Sequence, residues 1–436
     1  MLVKRVLKKR ALKKTCVEKH VYRRETVMGE LDLKKFDIER FDFDQVFSEV
    51  RQEIQKPNIL ICGGTGVGKS SLVNDIFHLS GEDMAKVGLE WSPETMGVQK
   101  FTSDSSTVNL YDSQGYEIGM ENDELYLRDI VGFIDAKRKE DPLNIAEHIH
   151  EVWYCISAGN KRFFDMDRKL IEEIRNLHVP IMILLTKIDE VSADELQALK
   201  STVQEAFPEL AVYTYSTFIR DEAIRRTYVQ KEAITSWAVA HIDESLLGGL
   251  LPALSGAIDE KAKYIRTTIV PKYTGLAVGT VTATSFLTVS FVDSVPLMTI
   301  QVKMAMNIFQ ILGINYDIKS TLGSIAGSTL ASYIGRTLST KLLGMIPYIN
   351  KVTKFVEAGV NMTVAGTITA TLGMAILTVC VNYMKTCLDP DGKSKVTFAE
   401  FFTTEALQSA IDYVGDHMRE FDIETIVNKA TAKKQA

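Results

Sequence analysis

Gly63-Gly64-Thr65-Gly66-Val67-Gly68-Lys69-Ser70 fits the phosphate-binding pattern G-x-x-x-x-G-K-[ST]. Glycines at those spacings let backbone N–H groups curl around phosphate oxygens, and a helix starting at the loop adds its partial positive charge. Lys69 is placed to neutralise the β- and γ-phosphates, and the Ser70 hydroxyl to ligate Mg²⁺. Ser71, at the start of the helix, is grouped with the loop as nucleotide-binding. Further along, Thr186-Lys187-Ile188-Asp189 supplies a carboxylate that can accept from guanine N1–H and the 2-amino group together. Adenine lacks that pair of donors, so beside it a buried carboxylate is left unpaired.

The elements that must position these groups are legible around them. Asn58-Ile59-Leu60-Ile61-Cys62 is an apolar run of the kind that forms a buried parallel strand, and Ser71–Phe77 reads as a helix. Pro180–Leu185 is a second such run and ends at the base-reading tetrapeptide, where ligands bind in open parallel sheets. Between them Thr107–Leu110 reads as a strand leading into Tyr111-Asp112-Ser113-Gln114-Gly115. There Asp112 is expected to hold Mg²⁺ through a water and the Gly115 amide to sense the γ-phosphate. Thr95, in the polar segment Ser92-Pro93-Glu94-Thr95, is the candidate for a second Mg²⁺ hydroxyl and a catalytic role with Lys69; Thr102 and Thr107 are weaker rivals. Ala211–Tyr215 reads as the last strand, which brings Ser216-Thr217 to the guanine carbonyl, with Ser216 the nucleotide-binding residue.

With five elements in series over residues 45–240, the chain resembles the translation-factor-class GTPases, particularly the Era-like branch. The resemblance implies a doubly wound, mostly parallel α/β P-loop GTPase domain, Mg²⁺-dependent binding of GTP and GDP, and switching between the two states. Two positions depart from the family pattern. Tyr116 stands after Gly115, where Ras-like members place the glutamine that orients water, and Gly66 stands where potassium-activated relatives carry asparagine. Slow turnover is therefore expected without an activating protein or self-association, since unassisted hydrolysis is on the order of 10⁻⁴ per second even with the glutamine.

Hydrophobic content of 46% and charged content of 24% suit folded domains, and the length suits two or three of them. The five cysteines are scattered with no metal-ligand spacing, which fits a reducing, cytoplasmic compartment, and the N-terminus lacks the apolar core of a signal peptide. Residues 1–24 carry a net +9 against −6 for the whole chain, leaving −15 on the remainder. Such a segment is either a solvated tail or an attraction to an anionic membrane surface. No aromatic interleaves its charges before Tyr22, which argues against nucleic acid.

The expected domains are a basic tail (1–30), a lead-in helix (31–56), the GTPase domain (57–240), an all-α helical domain (241–390), and C-terminal helices and tail (391–436). Phe41, Phe43, Val46, Phe47, Val50 and Ile54 give the lead-in helix its apolar face, and residues 220–265 read as connecting helices. Tyr273–Val292 and Ala358–Met384 are uncharged runs of 20 and 27 residues, long enough to span a bilayer but rich in Thr, Gly and Ala. They suit a membrane hairpin or a tightly packed bundle, and the Thr content tips the expectation toward the bundle. Asp293-Ser294-Val295-Pro296, Gln301, Met304 and Gly313, with the small-residue helices that follow, resemble the YcjF-like domain of unknown function over residues 245–385. Ser294–Ile314 reads as an amphipathic helix, Asp389-Pro390-Asp391-Gly392 as a turn, and Ala430–Ala436 as a frayed end. The functional expectation is a GTPase acting as a nucleotide-dependent switch for its helical domain. The alternative is a GTP-dependent self-assembling or membrane-remodelling protein.

Overall fold

The computed structural model describes residues 43–77, 79, 93–94, 98–101, 106–113, 123–142, 144–284, 294–314, 357–388 and 396–435. It divides into two compact units, one comprising 44–269 with 306–315, the other 270–305 with the remaining C-terminal residues and 1–43.

The first unit is built on a seven-stranded sheet in the order β2-β3-β4-β1-β5-β6-β7. Its strands are β1 (Asn58–Gly63), β2 (Pro93–Glu94), β3 (Val98–Phe101), β4 (Asn109–Ser113), β5 (Glu151–Ser157), β6 (Ile181–Thr186) and β7 (Ala211–Thr214). β4, β1, β5, β6 and β7 run parallel, while β2 and β3 pair antiparallel at one edge. Every residue of β1, β5 and β6 is buried, the signature of strands covered on both faces. The helices of this unit are α1 (Phe43–Gln52), α2 (Lys69–Ile76), α3 (Asp123–Glu140), α4 (Asp165–Asn176), α5 (Ala193–Ala206), α6 (Glu222–Tyr228), α7 (Lys231–His241), α8 (Leu247–Ala253) and α9 (Ile258–Tyr264).

Strand alternation sends Leu60, Tyr154 and Ile183 to one face, where Ile130, Phe133, Leu170 and Leu199 of α3, α4 and α5 cover them. Ile61, Trp153 and Met182 face the other way, under Leu72 and Ile76 of α2, Ile234 and Trp237 of α7, and Leu250 of α8. The result is the doubly wound α/β layer the motifs imply. Its strands reverse direction of growth across β1, with β4 to one side and β5 to the other.

Sequence reading places the domain boundary at 240/241, whereas the first unit continues to Ile269. The physical reason is α8. A side chain on Gly249 would meet Gln55 O at 2.3 Å and Thr107 O at 2.8 Å, so this helix lies directly on the backbone beneath the sheet. Leu246, Leu250, Leu251 and Leu254 are buried around it. The lead-in helix is described only as α1, with Val50 buried. β5, the central partner of β1, carries no motif and is not anticipated.

The helices of the second unit are α10 (Val270–Thr284), α11 (Ser294–Leu312, of which 294–305 belong here), α12 (Glu357–Thr386), α13 (Phe398–Phe401), α14 (Thr404–Asp416) and α15 (Ile423–Gln435). α12 is central and packs on α10, α14 and α15. Small residues allow that approach. A side chain on Gly373 would meet Val270 Cγ2 at 2.8 Å and Met304 Sδ at 2.9 Å, and one on Gly366 would meet Val278 Cγ2 at 3.0 Å. The buried Thr274 returns its hydroxyl to the preceding turn, donating to Val270 O at 2.8 Å. Gln301 Nε2 donates to Thr369 Oγ1 at 3.3 Å.

Among the described residues one stretch, Ala365–Thr386, is long and apolar enough to cross a membrane, and 83% of its most apolar window is buried within the protein. Of the run 273–292 only the part to Thr284 is described, and the 389–392 turn lies outside the described residues. The frayed C-terminal end is corrected. α15 runs to Gln435, and Ile426, Val427 and Ala430 are buried in this unit.

Candidate nucleotide site

The phosphate loop leaves β1 through a glycine that no other residue could replace. Gly63 has φ 135°, and a side chain there would stand 2.2 Å from Cys155 O on the neighbouring strand. Gly68 (φ 98°) then caps α2, whose first residues are Lys69 and Ser70. Gly64 and Val67 are buried, whereas Thr65, Gly66, Ser70 and Ser71 are exposed along the loop or helix start. Lys69 is buried, and its ammonium donates to Gly63 O and Gly64 O, each at 3.0 Å. The charge is therefore held inside the curl of backbone that would surround a phosphate.

Asp112 lies opposite Ile61 in the β4–β1 register, near the same end of the sheet. Its Oδ1 is buried with no hydrogen-bond partner. Burial pushes its carboxyl up to about 6, against the pull of the Lys69 ammonium. An orphaned carboxylate oxygen beside a phosphate loop has the chemistry of a divalent-cation position, and Ser70 supplies a hydroxyl on the same loop. Tyr126 of α3 stands behind both strands. Its hydroxyl is 2.7 Å from Ser113 Oγ and accepts from Gly63 N at 3.5 Å, so α3 touches the loop and the Asp112 strand together.

The residues expected to read the base converge from two further strand ends. Thr186 Oγ1 donates to Val67 O and to Ile156 O (3.2 Å), tying the end of β6 to the phosphate loop. Lys187 adopts a left-handed conformation (φ 52°), and its Cγ lies 3.9 Å from where a side chain on Gly68 would begin. Its stem is thus laid along the loop. Asp189 sits on a single 3₁₀ turn and accepts from Ser216 Oγ. Ser216 Oγ in turn accepts from Phe218 N at 3.0 Å. Gly68, Ser71, Leu72, Thr186, Lys187, Asp189 and residues 215–218 line one cavity, half open to solvent.

The segment after β7 is fixed from behind by Asp75 of α2, which accepts from the Tyr215 hydroxyl and from Lys231 Nζ at 3.0 Å. Burial raises the Asp75 carboxyl, but Tyr215, Lys231 and Arg225 outweigh it and hold it below the usual range.

The structure therefore brings together Gly63–Ser71 with Thr186, Lys187, Asp189 and Ser216, and sets Asp112 beside the loop. Thr95, Thr102, Gly115 and Tyr116 lie outside the described residues. Tyr126, Asp75 and Phe218 escape sequence reasoning. Only Phe218 carries a signal, standing two residues beyond Ser216.

Residues 54–242 match the family model described as Septin. Septin-8 of Homo sapiens is 25% identical over 221 residues, covering 47% of this chain and 45% of its own length. Septin-14 of Homo sapiens is 24% identical over 219 residues, covering 47% and 46%. The chain thus spans about half the length of the curated relatives it matches. Among solved structures, Era in complex with MgGDPNP and a 16S ribosomal RNA fragment is 15% identical with a TM-score of 0.28, covering 44% of this chain and 58% of that one. Gly63–Ser71, Asp112, Thr186, Lys187, Asp189 and Ser216 all fall within 54–242, and over those residues this chain is similar to septins.

Proposed function

We propose that this protein binds GTP with Mg²⁺ and hydrolyses it to GDP and phosphate. The observation that carries the reading is the convergence of Lys69, Asp189 and Ser216 on one sheet end, with Thr186 bonded to the phosphate loop itself. The loop amides and Lys69 would hold the phosphates, and Asp189 would select guanine over adenine. Ser70, Thr95 and Asp112 would hold Mg²⁺, which supplies neutralisation of phosphate charge when bound. Gly115 would sense the γ-phosphate, and Tyr116 in place of a water-orienting glutamine makes slow unassisted turnover the expectation.

In this reading the segments around 80–100 and 112–128 respond to the γ-phosphate and bias the helical domain, the switch role. The similarity of residues 54–242 to septins supports the nucleotide-binding half of that architecture, and an Era-like origin with a YcjF-like helical domain is part of the same reading. Purified full-length protein should release phosphate from GTP slowly in Mg²⁺, and Lys69→Ala should abolish GTP binding. Unchanged GTP affinity in Lys69→Ala would show that the loop is not the site.

The second reading, GTP-dependent self-assembly, is favoured by the exposed apolar pair Ile224 and Tyr228, four residues apart on α6 beyond the end of β7. Sedimentation that is the same with GDP and with a non-hydrolysable GTP analogue would count against it. A cytoplasmic protein held at membranes only by residues 1–24 would be released by high salt, whereas inserted helices would yield only to detergent.

A further inference from the structure

Phe218 is the most exposed of the large apolar side chains among the described residues, at 72%. A ring left in water at that level makes little contribution to packing, yet its backbone is held firmly. Phe218 N donates to Ser216 Oγ at 3.0 Å, and that hydroxyl donates to the Asp189 carboxylate. The chain of bonds fixes the start of the side chain relative to the group that reads the base edge. Phe218 also lines the same cavity as Lys187, whose stem lies along the loop at Gly68. One wall of that cavity is therefore aliphatic, one is a carboxylate, and one is an uncovered aromatic ring.

We propose that Phe218 is a nucleotide-binding residue, its ring stacking on the face of the guanine base while Asp189 reads the edge. The proposal rests on the guanine reading of the same site. Purines are flat and apolar on their faces, and a ring exposed in the free protein recovers its burial only when a base covers it. The ring is mostly exposed, so little packing has to be released for it to meet a base.

The test is the dissociation constant and dissociation rate of GDP for the full-length protein and its Phe218→Ala, Phe218→Leu and Phe218→Tyr variants. Base–aromatic stacking is typically worth about 5- to 150-fold in affinity, so Phe218→Ala should weaken GDP about 10-fold, mainly through faster release. Phe218→Leu, apolar but without a π-face, should recover little of that loss, and Phe218→Tyr should retain wild-type affinity. The side chain is exposed, so all three variants should fold, which circular dichroism checks. If wild type prefers GDP to ADP but Phe218→Ala binds GDP as tightly as wild type, the stacking proposal alone falls. Equal weakening by Ala and Tyr would also overturn it. If wild type does not distinguish GDP from ADP, the guanine reading falls and takes this proposal with it.

Discussion

Glu151→Gln should stabilise the GTPase domain, and the gain should grow with pH. Glu151 opens β5 at the end of the sheet away from the phosphate loop and is fully buried. Its Oε2 accepts from Trp153 Nε1 at 2.9 Å, and its Oε1 has no partner. Burial pushes the carboxyl up to about 8 from an ordinary 4.5, the indole bond offsetting only part of the cost. Because the folded value is the higher one, the folded state holds the proton longer. Stability from this group is intact below about pH 4.5 and is lost as pH rises through about 8. At about 1.4 kcal/mol per pH unit, the loss is about 3 kcal/mol at pH 7 and about 5 kcal/mol above pH 8. Glutamine keeps an acceptor for the indole and removes the titration in the same volume, although its amide leaves two N–H donors unpaired where the protonated acid leaves one O–H, a cost that does not change with pH. Urea unfolding followed by tryptophan fluorescence from about pH 5 to about pH 9 reads the effect. The stability difference between variant and wild type should shift in the variant's favour by about 3 kcal/mol between about pH 4.5 and pH 7. Parallel pH profiles for the two proteins would refute the argument, because Glu151 would then not be titrating in the folded state.

Lys261 is the basic counterpart, with burial pushing its ammonium down to about 7 while Nζ donates to Leu254 O at 2.8 Å. Its folded value lies below the unfolded one, so stability is lost as pH falls from about 10.5 toward 7. Lys261→Met should therefore gain about 2 kcal/mol at pH 7 after losing the hydrogen bond, and be less stable than wild type by about 1–2 kcal/mol near pH 10, where only that loss is left; a difference independent of pH would contradict this. Asp112, raised to about 6 by burial, should be ionised for Mg²⁺ at neutral pH and protonated below about 6. GTP affinity in Mg²⁺ should fall through that pH in equilibrium titrations and become flat in Asp112→Asn; the same pH dependence in the variant would locate it elsewhere. Asp75→Ala should loosen the segment after β7, because the Tyr215 hydroxyl and Lys231 Nζ both donate to its carboxylate, while Ser255 bonds only its backbone carbonyl, which the variant keeps. Faster GDP release with unchanged Mg²⁺ dependence is the expected result.

The legible parts of this protein are those where a loop of unusual backbone must follow a buried strand. Gly63 and Gly68 have positive φ, so their identity shows in the sequence, and the apolar runs before the loop and before Thr186 announce β1 and β6. β5 is as buried as β1, but it ends in Ser157 without a motif, and an apolar run alone does not reveal its place. Local periodicity marks helices over 220–265 but not where α8 packs, because its placement depends on a glycine meeting backbone 194 residues away at Gln55. Glu151 and Lys261 look like ordinary surface charges in sequence, because their burial is set by strands and helices packed from elsewhere in the chain. The second unit shows its small residues plainly, yet which helix each glycine admits is a property of the packing alone.

Base selection is the most direct test of the account. Competition binding of GDP, ADP and XDP should show that the full-length wild-type protein prefers GDP strongly over ADP. Asp189→Asn should transfer the preference to XDP, since the amide donates where the carboxylate accepted. Equal binding of ADP and GDP by wild type, or an Asp189→Asn variant that still prefers GDP, would contradict it.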